Sequence, residues 1–447
     1  MFTKACNMSV IIKQEKIRGE PMSDISSMAA AAKAASHKMA VLDSDVKNNA
    51  LKLIAEELGN ASAKIFEANN TDLRLAEEQQ LDKPLLKRLK FDEKKLKEVT
   101  DGINSLIGLD EPVGKKLLHT TLDDGLELYR VTSPIGVIGV IFESRPDALV
   151  QIASLCLKSS NAVFLKGGRE AENTNKVLAE IISNAGIRAG LPEGWLHLLT
   201  TREDVNAMLS LDKYIDLIIP RGSNAFVQYI MKNTLIPVMG HADGVCHTYV
   251  ASDCDRDLAL KVILDAKTQY VSVCNATETL LVDESLKASF LPVIVAALRE
   301  ADVEIYGDDE VSAMFRCEKA TEWHHEYLDY KISIKLVSGL DEAVEHINMY
   351  GSGHTDAILT SSKEKAEKFM DSVDSGSVLV NCSTRFADGF RYGFGAEVGI
   401  STSKLHARGP VGLEGLVSYK YKLYGNGHIV ADYSSGDKKF KHIRRNV

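Results

Sequence analysis

Apolar positions recur every three or four residues from Asp43 onward: Val46, Ala50, Ile54 and Leu58 make one stripe, with Leu51 and Ala55 beside it. That period predicts an amphipathic helix, and Gly59 is placed to stop it. The stretch 71–100 is charge-rich and reads as a solvated helical surface, with Pro84 suited to the first turn of a new helix. Residues 22–112 therefore form a helical leading region. Between 117 and 130 the pattern becomes strand-like on both sides of Asp123-Asp124-Gly125, which predicts a hairpin. The runs 416–423 and 428–432 around Gly425-Asn426-Gly427 predict a second hairpin, which pairs with the first or across subunits.

From 135 to about 250 the pattern alternates. Strands are expected over 137–142, 162–166, 195–199, 214–219 and 236–238, with helices over 146–158, 170–185, 202–211 and 223–233. The strands are short continuous apolar runs, as strands covered on both faces are. Repeated units of this length build a parallel, doubly wound sheet. A second such stretch runs from 248 to 381, with strands near 278–282, 332–336, 356–360 and 378–380, and Gly240-His241-Ala242-Asp243-Gly244 as the hinge before it. The expected fold class is α/β: two doubly wound parallel-sheet domains plus a β-hairpin element.

The chain has 447 residues, 45% hydrophobic and 26% charged, which suits a globular chain of about two or three domains. A net charge of −9 argues against a nucleic-acid binder, which would concentrate basic residues. No apolar run reaches the roughly 18 residues of a membrane span. Residues 1–21 hold a five-residue apolar patch at 8–12, short for a signal segment, and read as a flexible extension, with Met22 an equally good start. The seven cysteines are odd in number, scattered and without a CxxC pair. They fit no disulfide framework and suit a reducing cytoplasm, leaving room for one reactive thiol.

Two strand ends carry candidate chemistry. One is Leu165-Lys166-Gly167-Gly168-Arg169 and the other is Pro220-Arg221-Gly222-Ser223. Glycines let backbone amides approach a phosphate, and a following helix N-terminus favours an anion; the alternative is a pair of tight strand–helix turns. No G-x-G-x-x-G follows a strand, so the common dinucleotide fingerprint is absent. Cys274 lies in the small-residue loop 270–277 between an apolar-faced helix and a strand, open to a substrate, whereas Cys156 sits on an apolar helix face. A structural role for Cys274 is the plain alternative. His241, Cys246, His247 and Cys254 cluster without a zinc-ligand spacing, and His324-His325 reads as a polar loop; no metal is expected. The segment 381–397 sets Arg385 and Arg391 among aromatics and Gly389, Gly393 and Gly395, which suits a carboxylate or phosphate.

The stretches 133–146, 165–169, 273–279 and 393–410 resemble the γ-glutamyl phosphate reductases, a branch of the aldehyde dehydrogenase superfamily, and the likeness runs from about residue 25 to the end. The resemblance implies an NADPH-binding domain (22–115 and 131–239), a catalytic domain (240–382), oligomerisation hairpins (116–130 and 411–447), and an active-site loop (383–410) returning to the cofactor domain. It implies NADPH-dependent reduction of L-glutamate 5-phosphate to L-glutamate 5-semialdehyde and phosphate through a cysteinyl thioester on Cys274, the second step of proline biosynthesis. Lys166 would meet the adenosine ribose or its phosphate, with Gly167 and Gly168 beside it. Arg169 would meet the 2′-phosphate, Gly222 and Ser223 the pyrophosphate, and Glu326 the nicotinamide ribose. Arg145, Arg385 and Arg391 would hold the substrate's phosphate or α-carboxylate. The water-activating glutamate of hydrolytic relatives has no counterpart in 237–241. A homo-oligomer is expected, with glutamate 5-kinase a further candidate partner. The competing readings are a metal-dependent alcohol dehydrogenase on a similar scaffold and a kinase-docking domain without activity.

Overall fold

The computed structural model describes residues 24–222, 224–240 and 243–447, so the expected extension at 1–21 lies outside it. The leading region is helical: Asp24–Met39, Ser44–Asn60, Ser62–Glu78, Lys83–Leu89 and Glu93–Ile107. Its stripe residues Ala50, Leu51, Ile54 and Leu58 are fully buried and join the core of the first sheet. Asp92 caps the last of these helices by accepting from the Lys95 N–H.

Strands β1 (Lys116–Asp123) and β2 (Leu126–Pro134) then form the expected hairpin. Strands β3 (Val137–Ile141), β4 (Ala162–Lys166), β5 (Leu196–Leu198) and β6 (Leu217–Pro220) form a parallel sheet in the order β5-β4-β3-β6. Its order reverses between β3 and β6, the switch point where open α/β sheets bind ligands. The strand expected over 236–238 is only a bridge from Ile218 to Val238.

The second sheet contains β7 (Cys246–Val250), β8 (Thr277–Asp283), β9 (Glu304–Gly307), β10 (Glu318–Lys319), β11 (Lys331–Val337), β12 (Thr355–Leu359) and β13 (Ser377–Val380). They are parallel throughout, in the order β10-β9-β11-β8-β7-β12-β13. Alternate residues of β7 and β8 enter different cores: Val250, Leu280 and Val282 one, Tyr249, Ala251 and Leu281 the other. Both faces are therefore covered, as in other parallel sheets.

After the two-stranded ribbon β14 (Gly399–Ser401) and β15 (Gly409–Val411), the chain ends in β16 (Val417–Tyr424) and β17 (Ile443–Arg445). The second hairpin expected around 425–427 does not form. Residues Val430–Ser434 are a short helix, and β16 and β17 instead flank the first hairpin in a sheet β16-β2-β1-β17. The first hairpin offers two unpaired edges, and a local hairpin would have left both open. His428 Nε2 lies 3.1 Å from the Asp124 carbonyl at the hairpin tip, which carries the chain past the tip towards the far edge. No helix among the described residues is long and apolar enough to cross a membrane.

Candidate active site

A cleft of about 1280 Å³ opens at the carboxyl ends of β3, β4 and β6. Lys166, Gly167, Gly168, Arg169 and Gly222 all line it; Ser223 lies outside the described residues. Side chains close over both central glycines. A Cβ on Gly167 would come within 2.2 Å of Asn175 Nδ2, and one on Gly168 within 2.0 Å of Glu170 Oε1. Glu170 is itself held by the Ser144 hydroxyl. Burial pushes the Lys166 ammonium below its usual range, and its Nζ donates to the Gly167 carbonyl. Arg202 and Arg221 also face the cleft. Sequence reasoning held Arg221 within its second strand-end motif without giving it a role, and passed over Arg202, which follows Thr201, the cap of its helix.

Cys274 sits at the opposite kind of edge. It precedes β8, Gly244 precedes β7, Glu326 precedes β11 and His354 precedes β12, so these groups gather at the amino ends of the second sheet. Gly244 packs so closely that a Cβ there would lie 2.1 Å from the Cys274 carbonyl oxygen. The Cys246 thiol donates to that carbonyl at 3.1 Å. His354 Nε2 lies 3.1 Å from Cys274 Sγ, and its Nδ1 lies 2.8 Å from Thr355 Oγ1. Neither His354 nor Cys246 had been singled out for such a place. Eighty residues separate His354 from the cysteine, and nothing local marks it.

The loop is tied down on both sides. Asn275 Nδ2 donates to the Ala387 carbonyl at 2.9 Å, and the Thr277 and Thr384 hydroxyls meet at 3.2 Å. Lys267 and Glu278, both side chains fully buried, pair at 2.6 Å across the loop's two ends. Glu278 also accepts from the Leu328 N–H at 3.3 Å. Glu326 accepts from the Gly244 N–H, and burial holds its carboxyl above the usual range. Burial likewise pushes the Cys274 thiol up to about 12, Glu326 and Glu397 acting in the same direction and Arg221 against them. Glu397 accepts from the Gly389 N–H at 2.9 Å. The loop 383–410 thus delivers a carboxylate, Glu397, to which the sequence reading had given no role.

The three arginines are placed differently. Arg385 is buried, bonds Gln269 through Nε at 3.0 Å, and is close enough to feel the charge of Cys274. Arg145 pairs with Asp147 at 2.9 Å and feels Glu397. Arg391 donates to the Arg385 carbonyl at 3.0 Å and lies 3.5 Å from Asp388, so it braces its own loop. Of the clustered histidine and cysteine residues, His241 lies outside the described residues and His247 is occupied with Asp356 at 3.1 Å. No group of three or more His, Cys, Asp or Glu among the described residues could hold a metal ion.

A model of the aldehyde dehydrogenase family matches residues 9–333. The chain is 62% identical over 424 residues to a gamma-glutamyl phosphate reductase of Acetivibrio thermocellus, covering 94% of this chain and 98% of the relative. It is 61% identical to the enzyme of that name from Ruminiclostridium cellulolyticum, covering 95% and 98%. The crystal structure of gamma-glutamyl phosphate reductase from Thermotoga maritima superposes with a TM-score of 0.89 at 40% identity, over 91% of this chain and all of that one. The chain belongs to the aldehyde dehydrogenase family and, within it, to the gamma-glutamyl phosphate reductases.

Proposed function

We propose that the chain reduces L-glutamate 5-phosphate to L-glutamate 5-semialdehyde with NADPH, through a thioester on Cys274. Family membership makes it an oxidoreductase of proline biosynthesis that uses a nicotinamide cofactor; the phosphorylated donor, the thioester and the residue roles are our reading. The observation that carries it is Arg221, which lines the cleft at the first sheet and lies near enough to Cys274 at the second for its charge to be felt there. One guanidinium thus belongs to both halves of the site.

The cleft fits a dinucleotide: it is large, floored by glycines, and lined by bases. Lys166 and Arg169 would hold the adenosine ribose and its 2′-phosphate, Gly222 and Ser223 the pyrophosphate, and Glu326 the nicotinamide ribose. When bound, the cofactor supplies hydride. Cys274 attacks the acyl carbon and phosphate departs, leaving an acyl group on sulfur. A thioester accepts hydride far more readily than an oxygen ester, which is the reason for a thiol here. The Cys274 N–H would donate to the oxyanion. Arg385 and Arg145 hold the substrate's phosphate and α-carboxylate, with Arg391 supporting Arg385 from behind.

The open edge of β16 and its exposed Tyr419, Tyr421 and Leu423 suit a second copy of the chain. Among the described residues, no surface feature singles out glutamate 5-kinase.

Reduction of NADP⁺ by the semialdehyde should require phosphate or arsenate and vanish in Cys274→Ser. Turnover without either anion would mark a hydrolytic dehydrogenase instead.

A further inference from the structure

We propose that His354 is the general base of the acylation step, taking the Cys274 proton and passing it to the departing phosphate. The inference rests on the thioester reading above and adds a catalytic group to it. His354 is almost wholly buried, on the turn before β12. Its two ring nitrogens have different neighbours: Nε2 faces Cys274 Sγ at 3.1 Å, while Nδ1 faces Thr355 Oγ1 at 2.8 Å and Cys246 Sγ at 3.9 Å. In the tautomer with its proton on Nδ1, the Thr355 hydroxyl accepts from Nδ1–H and Nε2 is the acceptor that faces the sulfur. A core histidine held only for packing has no need to aim a nitrogen at a nucleophile.

The surroundings call for such a group. Facing Cys274 are Glu326 from the segment before β11, Glu397 from the returning loop, Arg221 from the end of β6, and Cys246 at the start of β7. Burial and the two carboxylates disfavour a thiolate, against Arg221 and the cysteine's own backbone N–H, with Arg385 also close enough to feel its charge. The other candidates for a base are engaged. Cys246 donates its proton to the Cys274 carbonyl and is itself pushed up by burial. Glu326 and Glu397 accept backbone N–H groups. Asp356 is occupied by the His247 N–H at 2.7 Å and the Ser375 hydroxyl.

The step balances. The Sγ–H bond breaks and its proton moves to Nε2; sulfur bonds to the acyl carbon; the carbon–oxygen bond to phosphate breaks with its electron pair on oxygen. The imidazolium then returns the proton to that oxygen. Acyl phosphate dianion plus thiol gives thioester plus hydrogen phosphate, with no other reactant needed.

The test uses the full chain. Wild-type protein is alkylated with iodoacetamide from pH 5 to 10, and the peptide carrying Cys274 is quantified by mass spectrometry. Burial and the carboxylates would hold the thiol at about 12, so a half-rise at least one unit below the ~8.5 of a free cysteine is the expected mark of its partner taking the proton. His354→Gln should alkylate at least tenfold more slowly at pH 7, with its half-rise above pH 9, while still quenching NADPH fluorescence. A wild-type half-rise at 9 or above overturns the proposal, as does a His354→Gln profile that overlays the wild type. If His354→Gln does not fold, the wild-type profile decides alone. Acetyl phosphate, with no dinucleotide present, separates this inference from its premise. An adduct on Cys274 formed at the wild-type rate in His354→Gln sinks the base and leaves the thioester standing. No adduct in either protein, with a histidine-dependent alkylation profile, sinks the thioester and leaves the base.

Discussion

The two edges that meet at the site are built by opposite means. At the carboxyl ends of β3, β4 and β6, the cleft is made from short contiguous segments whose main feature is missing side chains. At the amino ends of β7, β8, β11 and β12, the centre around Cys274 is made from groups brought together from distant segments, Asn275 and Ala387 being 112 residues apart. Ligand sites of open α/β sheets usually lie at carboxyl ends. The first sheet follows that rule and the second does not, because its amino edge is the one turned to the cofactor cleft. The first kind of edge is defined by the space the chain leaves empty, and the second by pairs that hold only when both members are present.

That contrast can be tested, beginning with the largest effect. Cys274→Ser should lower kcat by at least about a thousandfold, since a neutral hydroxyl is a much weaker nucleophile, while NADPH binding measured by fluorescence stays within twofold of the wild type. Retained activity would remove the sulfur from the mechanism.

Next is the buried pair that spans the cysteine loop. Burial pushes Glu278 up to about 7 and Lys267 below its usual range, so each depends on the other for its charge. Glu278→Leu alone should cost about 3–5 kcal/mol in chemical denaturation by leaving a lone buried ammonium, and Lys267→Met added to it should restore most of the loss. Equal instability of single and double variants would mean that the pair does not act as a unit.

A smaller effect concerns pH. His346 is buried, stacks edge-on to His247 and Trp323, and its Nε2 finds no partner among the described residues. Burial, with the nearby His247 adding to it, pushes its pKa down to about 3. The unfolded chain takes up this proton below about 6.5 and the folded chain does not. The contribution is therefore complete above pH 6.5 and lost as pH falls towards 3. Between pH 6.5 and 4 the loss should approach about 3 kcal/mol, and His346→Leu should flatten that part of the stability curve. A curve unchanged by the substitution would show that other groups govern acid unfolding.

The smallest effect belongs to the glycine-floored side. Arg169→Ala should raise KM for NADPH about tenfold, or about 1.4 kcal/mol, and leave KM for NADH within twofold. Equal effects on both cofactors would move Arg169 away from the 2′-phosphate.

The alternation of apolar runs and amphipathic helices was enough to place the first parallel sheet, four of the seven strands of the second, the leading helices and the first hairpin, because each depends on residues near one another in sequence. The cleft was legible for the same reason: β4 runs straight into Lys166-Gly167-Gly168-Arg169. Cys274 was legible through its loop of small residues and its family motif. Tertiary structure alone decided that β16 and β17 would close on the edges of the first hairpin, since an edge's demand for a partner is met by whichever strand reaches it. It alone put Glu397, Arg221 and His354 around one sulfur. A buried charge or ring nitrogen is defined by what faces it through space, and residues eighty positions apart carry no mark in the sequence of where parallel strands will bring them.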